Sequence, residues 1–171
     1  DTASDDKVLS ADFSQFCEEG EFYIKVGSSR STVFTISKAP YKNLLEDVKK
    51  SLYFFRCGSA LHRNRAGKFG RKTCHIEPAT FYDNKEKTLD VSGGWHDAGD
   101  YSRCVVTGCV ALGHLLYAYS LFPEVFGDKD GVSQSGKSCP LIIEECIYEL
   151  EWLLKMQDKD GGVYHRVSSL H

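Results

Sequence analysis

The spacing of apolar and polar residues changes once along the chain, and that change divides it. After a polar opening through about residue 12, Glu21–Val26 alternates Phe22, Ile24 and Val26 with Glu21 and Lys25, and Thr32–Ile36 repeats the alternation. A period of two on either side of Gly27-Ser28-Ser29-Arg30 predicts a β-hairpin. Two strands alone are marginal in water, so the hairpin implies partner strands upstream. Packing on the rest of the chain is the other arrangement open to it. Beyond the linker Ser37-Lys38-Ala39-Pro40 the period becomes helical, and Tyr41, Leu44, Leu45, Val48, Leu52 and Phe55 form one apolar stripe on a helix ending near residue 56. The expected domains are therefore residues 1–38 and residues 39–171.

Residues 57–100 hold no sustained period and are rich in Gly, Arg and His. A stretch of that length is too long for a plain connection in a compact domain, which points to a functional loop. A second helix is expected over about Tyr101–Leu121, apolar on nearly every side at Val105, Val106, Val110, Leu112, Leu115, Leu116 and Tyr119, and therefore buried in the whole protein. Phe122-Pro123 ends it, and Gly127–Cys139 reads as a polar loop. A third helix over about Pro140–Gln157 has Pro140 near its first turn, Glu144 and Glu145 early, and Ile143, Ile147, Leu150 and Leu154 on one face. Gly161-Gly162 marks a turn before the short apolar stretch Val163–Val167.

Composition narrows the kind of object. A chain that is 42% hydrophobic and 12% aromatic has ample material for a packed core. Twenty-one basic against 24 acidic side chains, net −3, leave no basic footprint for nucleic acid or an anionic membrane, and a neutral polymer suits this balance better. No apolar run approaches the roughly 18 residues that span a bilayer. The N-terminus has neither an initiator Met nor the features of a signal peptide, so the chain reads as a segment of a longer secreted protein whose export signal lies upstream. Seven cysteines cannot all enter a closed disulfide framework. Cys17, Cys104, Cys109, Cys139 and Cys146 sit in apolar or helical surroundings, where cysteine behaves as a small buried hydrophobe.

Two constellations carry candidate chemistry. In Ser92-Gly93-Gly94-Trp95-His96-Asp97-Ala98-Gly99-Asp100-Tyr101, three glycines permit a loop that holds Asp97 and Asp100 facing one way. Two such carboxylates suit the gripping and deprotonation of a water, one accepting its hydrogen bond while the other takes its proton. The same spacing also fits an acidic loop in which Asp100 is the N-cap of the following helix. Trp95 and Tyr101 flank the pair, either stacking on a ligand or packing. Cys57, Cys74, His75 and His96 are the ligand types of tetrahedral zinc, although gaps of 16 residues between the cysteines and 20 between the histidines are not a zinc-finger spacing. Cys57 and Cys74 could instead form a disulfide. His62, His114, His165 and His171 receive no role, and His114 is expected as a core histidine.

The order of residues in Asp90–Tyr101 resembles the signature of family 9 glycoside hydrolases. Arg56-Cys57-Gly58, Ala66-Gly67-Lys68-Phe69, Cys74-His75, Leu121-Phe122-Pro123, Tyr148–Gln157 and Gly161–His165 agree with it in the family's order, from about residue 13 to the end. The resemblance implies a mainly α fold, part of an (α/α)6 barrel, preceded by the last strands of an immunoglobulin-like β-sandwich. It implies an inverting, endo-acting hydrolase of β-1,4-glucosidic bonds in cellulose or related β-glucans, with Asp100 as general base and Asp97 orienting the water. The family's general acid, a glutamate, would lie beyond this chain, which alone would then be inactive. Some bacterial members bind structural zinc through residues matching Cys57, Cys74, His75 and His96. Calcium would belong to the rest of the catalytic domain, and further modules to the parent protein. The chain departs from the family at Leu141-Ile142-Ile143, where acidic residues usually follow the proline, and at Cys104, where an aromatic is common. A non-catalytic carbohydrate-binding or scaffold fragment with a zinc-stabilised loop is the other class of function.

Overall fold

The computed structural model describes residues 3–126 and 139–169, so most of the expected polar loop before Cys139 lies outside the described residues. The chain divides into two compact units, Asp1–Leu45 and Glu46–His171.

The first unit is built on a hairpin in two registers. Strand β1 (Gly20–Phe22) and strand β2 (Lys25–Val26) run out, and β3 (Ser29–Arg30) and β4 (Phe34–Ile36) return, with β1 paired to β4 and β2 to β3, both antiparallel. The turn is two residues long rather than four, because Gly27 adopts φ +60°, the left-handed conformation that two-residue hairpin turns favour. Ser29 and Arg30 are thereby strand, not turn. Ser31 breaks the ladder between the two pairs: its side-chain oxygen accepts the Ile24 N–H at 2.9 Å while its own N–H donates to the Ile24 carbonyl at 2.9 Å. Phe16 packs edge-on against Phe22 at 4.9 Å, and Phe13 lies 5.9 Å from Phe34.

In the second unit, α1 (Lys42–Phe55), most of which belongs here, leads into a segment that the sequence left without periodicity. That segment contains α2 (Arg63–Ala66), a 3-10 turn at Gly67–Phe69, and a small antiparallel pair of β5 (Ala79–Thr80) with β6 (Thr88–Leu89). Strand β7 (Arg103–Cys104) then precedes α3 (Val105–Leu121), α4 (Pro123–Phe126) and α5 (Leu141–Lys155), and β8 (Arg166–Val167) returns to pair with β7. The second helix thus begins four residues later than expected, because Arg103 and Cys104 are taken by the pairing with β8.

Two cores hold this unit together. One joins Val91, Val105, Trp152, Met156 and Val167, and the other Tyr53, Leu61 and Ala66, with Phe54 against them. Gly108 lets α3 approach the side chain of Glu149 on α5, where a Cβ would collide with the carboxylate.

Within this chain the buried positions of both flanking helices differ from the apolar stripes that periodicity marks. On α1, Lys49 and Tyr53 are buried, while Tyr41, Leu44, Val48 and Phe55 of the expected stripe are exposed. On α5 the inner face is Ile142, Glu145, Cys146, Glu149 and Trp152, while Ile147, Leu150 and Leu154 are exposed. On α5 two glutamates take buried positions because donors await them there, Arg56 and Arg65 for Glu145 and the Trp95 N–H for Glu149. On α3 Leu112 is buried, but Val106, Val110, Leu116, Tyr117 and Leu121 are exposed, and so is His114, which is therefore not a core histidine in this chain. Of the five cysteines expected to be buried only Cys146 is; Cys17 and Cys109 are exposed, and Cys104 and Cys139 are half-buried.

Glu145 shows what holds α5 to the end of α1. The Arg56 Nε donates to its carboxylate at 2.7 Å, and Arg65 Nη2 approaches its other oxygen at 3.3 Å. Arg56 also lies over the Tyr148 ring at 4.5 Å, and Arg65 over Tyr53 at 4.1 Å. Burial pushes the Glu145 carboxyl up, and the two guanidiniums oppose that push. Breaking a buried pair from one side leaves uncompensated charge and costs about 3–5 kcal/mol. Glu145→Ala is therefore expected to lower unfolding free energy by about that amount in denaturant titrations. Lys87→Ala, which removes an exposed bridge to Asp158, is expected to cost less than about 1 kcal/mol.

Candidate active site and metal centre

The loop before α3 is fixed at its entrance by a cation and at its centre by a carboxylate. Ser92 donates twice to Asp90 Oδ1, from N–H at 2.9 Å and Oγ at 2.7 Å, and Lys155 at the end of α5 donates to Asp90 Oδ2 and to the Ser92 carbonyl, each at 2.9 Å. These bonds, those from Ser92 foremost, hold the Asp90 carboxyl down at about 2. Arg103 donates to the carbonyls of Val91 and Gly93. Gly94, at φ +75°, lies on the Trp152 indole so closely that a Cβ would stand 2.6 Å from a ring carbon. The next N–H, of Trp95, donates to Glu149 Oε2 at 2.7 Å.

From there the loop runs antiparallel to the end of α1. Arg56 and Trp95 form an isolated bridge, the Cys57 N–H donates to the Gly94 carbonyl at 2.7 Å, and the His96 N–H donates to the Phe55 carbonyl at 2.8 Å. This backbone pairing brings Cys57 and His96 together across 39 positions of sequence. The Gly58 N–H donates to the Cys74 carbonyl at 3.1 Å and brings in the segment that carries Cys74 and His75.

The donor atoms of Cys57, Cys74, His75 and His96 all lie within 4.8 Å of one another, with Cys74 Sγ 3.9 Å from His96 Nε2. Both sulfurs are free thiols. Burial pushes the Cys57 thiol up to about 11, and burial followed by the charge of Arg71 pulls His96 down to about 4. A neutral imidazole is ready to donate its lone pair. Two thiolates cancel the charge of a divalent cation, so once a metal displaces the protons the set is electrically balanced. The four residues form a group that can hold a metal ion.

Beyond His96 the chain closes a turn. The Asp97 N–H donates to the Ser102 carbonyl at 2.8 Å and the Tyr101 N–H to the Ala98 carbonyl at 3.0 Å. Asp97 and Asp100 thus share one closed turn, and each carboxylate is held from a different element. Thr107 Oγ1, in the first turn of α3, donates to Asp97 Oδ1 at 2.7 Å. Asp100 accepts Ser102 N–H at 3.1 Å, Ser102 Oγ at 2.8 Å and Arg166 Nη2 of β8 at 2.7 Å. The Ser102 bonds, with Arg166 behind them, lower the Asp100 carboxyl below its usual range. Asp100 does not cap a helix: α3 starts at Val105, its N-cap is Cys104, and no side chain caps it.

Tyr101 sits at φ +56°, a conformation that a tyrosine rarely adopts, and its ring packs against His96 at 5.1 Å and His75 at 5.9 Å. It remains 52% exposed. Trp95 is only 8% exposed, so its ring is largely packed inside the protein. Trp95 lines a cavity of about 250 Å³ with His96, Asp97, Thr107 and Glu149.

Glu149 is the member of this site that sequence reasoning passed over. It is 1% exposed, and burial pushes its carboxyl up to about 7, against the Trp95 N–H and Arg103. The available signal was a second carboxylate one turn after Glu145 and three positions before Trp152 on the same helix. Because its folded value lies above the unfolded one, the folded state keeps a proton between about pH 4.5 and 7 that the unfolded state has lost. Its contribution is therefore a stability loss that grows as pH rises through that window, on the order of 3 kcal/mol at most. Glu149→Gln, which still accepts the Trp95 N–H, is expected to flatten this slope in unfolding midpoints measured from pH 4.5 to 8. An unchanged slope would contradict the assignment.

The sequence profile described as glycosyl hydrolase family 9 matches residues 41–171. A cellodextrinase of Butyrivibrio fibrisolvens is 39% identical over the whole chain, which spans 32% of that protein, so this sequence corresponds to about a third of the relative's length. A mutant thermostable endoglucanase from Alicyclobacillus acidocaldarius superposes on 91% of the chain with a TM-score of 0.83 and 31% identity, the chain covering 30% of it. A zinc-binding triple mutant of a family 9 endoglucanase superposes on 91% with a TM-score of 0.81 and 35% identity, the chain covering 31% of it. With a profile match over its whole helical part and these likenesses in sequence and structure, the chain belongs to glycosyl hydrolase family 9.

Proposed function

We propose that the protein carrying this chain is a secreted, inverting endo-β-1,4-glucanase acting on cellulose or a related β-glucan, and that Asp97 and Asp100 handle its nucleophilic water. One observation carries this reading: a single closed turn holds both carboxylates, and each is anchored from a different element. Inversion needs a base to activate water on one face of the sugar and an acid about 6.5–9.5 Å away to protonate the leaving oxygen. Asp100 is the base, kept ionised by Ser102 and Arg166. Asp97, oriented by Thr107, accepts a second hydrogen bond from the same water. Tyr101 supplies the open aromatic edge beside the pair, and Trp95 packs beneath it. The acid is a glutamate outside this sequence.

Residues 39–171 are then part of an (α/α)6 barrel, and the exposed stripes of α1, α3 and α5 are surfaces for its remaining helices. Residues 1–38 are the closing strands of an immunoglobulin-like domain. Among the described residues no helix is long and apolar enough to cross a membrane.

Cys57, Cys74, His75 and His96 hold one structural zinc, which supplies no step of the hydrolysis and ties the end of α1 to the catalytic loop. Calcium, if the whole protein uses it, is held outside this chain.

Asp100→Asn in the full-length protein is expected to lower kcat by roughly 10²- to 10⁴-fold with KM little changed. Added azide should restore turnover and give an inverted product. Near wild-type turnover would remove Asp100 as base, whereas no glucan hydrolysis by the unsubstituted full-length protein would favour the non-catalytic carbohydrate-binding alternative. Metal analysis is expected to find one zinc per chain, lost in Cys57→Ser and His96→Ala. Full zinc retention in both variants, or a Cys57–Cys74 disulfide in the mature protein, would defeat the zinc assignment.

A further inference from the structure

We propose that Arg71 is a positioning residue of the metal centre, its guanidinium donating to the Cys74 sulfur and holding that ligand for the ion. The inference rests on the zinc reading above and concerns a residue outside the four donors.

Arg71 is fixed at both ends. Its backbone forms an antiparallel bridge with Leu61, with Leu61 N–H to Arg71 carbonyl at 2.9 Å and Arg71 N–H to Leu61 carbonyl at 3.0 Å. Leu61 belongs to the core around Tyr53, so the bridge stands on packed structure. At the far end the fork divides. Nη2 donates to the Arg56 carbonyl at 2.5 Å, and Nη1 donates to Cys74 Sγ at 2.7 Å. Arg56 immediately precedes Cys57, so one planar group spans from the residue beside the first thiol ligand to the sulfur of the second.

A thiolate that accepts a charge-assisted hydrogen bond is oriented and stabilised in the form that binds metal, and such outer partners are worth roughly 10- to 100-fold in affinity. The geometry suits an arginine in particular, because two donors at fixed spacing reach two acceptors at once, which an ammonium cannot reproduce. Arg103, the other arginine near the four donors, gives its Nη1 to the carbonyls of Val91 and Gly93, and its charge acts on the sulfurs only through space. Arg71, by contrast, contacts one of the four donor atoms directly.

The simpler alternative is that Arg71 only satisfies the Arg56 carbonyl and meets the sulfur by proximity. Zinc affinity, measured by chelator competition on the full-length protein, and the near-ultraviolet sulfur-to-cobalt charge-transfer band of the cobalt-substituted protein separate the two. Donation to sulfur lowers the energy of its lone pair, so losing it moves the band to longer wavelength. Arg71→Met is expected to weaken zinc binding roughly 10- to 100-fold and to shift the band in that direction. Arg71→Lys is expected to recover part of the affinity. Should Arg71→Met not fold, Arg71→Gln, which keeps an N–H for the Arg56 carbonyl, takes its place, and the band position decides. A wild-type protein that binds one zinc, with an unshifted band and unaltered affinity in these variants, would overturn the Arg71 assignment and leave the zinc site standing. A wild-type protein that binds no zinc would remove the site itself.

Discussion

Two carboxylates on the inner face of α5 organise the second unit, because a buried charge must find donors and the donors available come from elsewhere in the chain. Glu145 draws in Arg56 and Arg65, and Glu149 accepts the backbone N–H of Trp95. These contacts fix the end of α1 and the loop before α3 against the same helix, one turn apart. The pairing of Phe55–Cys57 with Gly94–His96 then follows at low entropic cost, since both segments are already held. Cys57 stands at one end of that pairing and His96 at the other, and the acidic turn follows directly from His96.

The same carboxylates explain how far the sequence could be read. The helices, the hairpin and the change of period near residue 40 follow from local pattern, because each depends on neighbours in sequence. The buried positions of α5 do not, since a periodic apolar count gives no weight to a buried glutamate whose partner lies 54 or 89 positions away. The start of α3 was displaced for a related reason: β7 exists only through its pairing with β8, more than 60 residues later.

At the site, the four metal donors were legible as residue types and could be grouped through family resemblance, though their spacing alone left a disulfide open. The shared turn of Asp97 and Asp100 was likewise suggested by its glycines. The parts that position them were silent: Thr107, Ser102, Arg166 and Arg71 are ordinary residues in the sequence, and only the fold brings them to a ligand atom or a carboxylate. Ser102, directly before β7, and Arg166 on β8 both bond to Asp100, so even that two-rung ladder serves the turn.

Tyr101 sets opposing demands on one position. Its left-handed backbone carries a strain of about 1–2 kcal/mol that a glycine would relieve. A glycine, however, has no ring to lay against His75 and His96, and the acidic turn would lose its packing link to those two imidazoles. Selection for thermal stability alone would therefore erode this residue, while selection for the arrangement of the turn and the two histidines would retain it. Libraries of this protein sorted by the two criteria should diverge here even where they agree throughout the core.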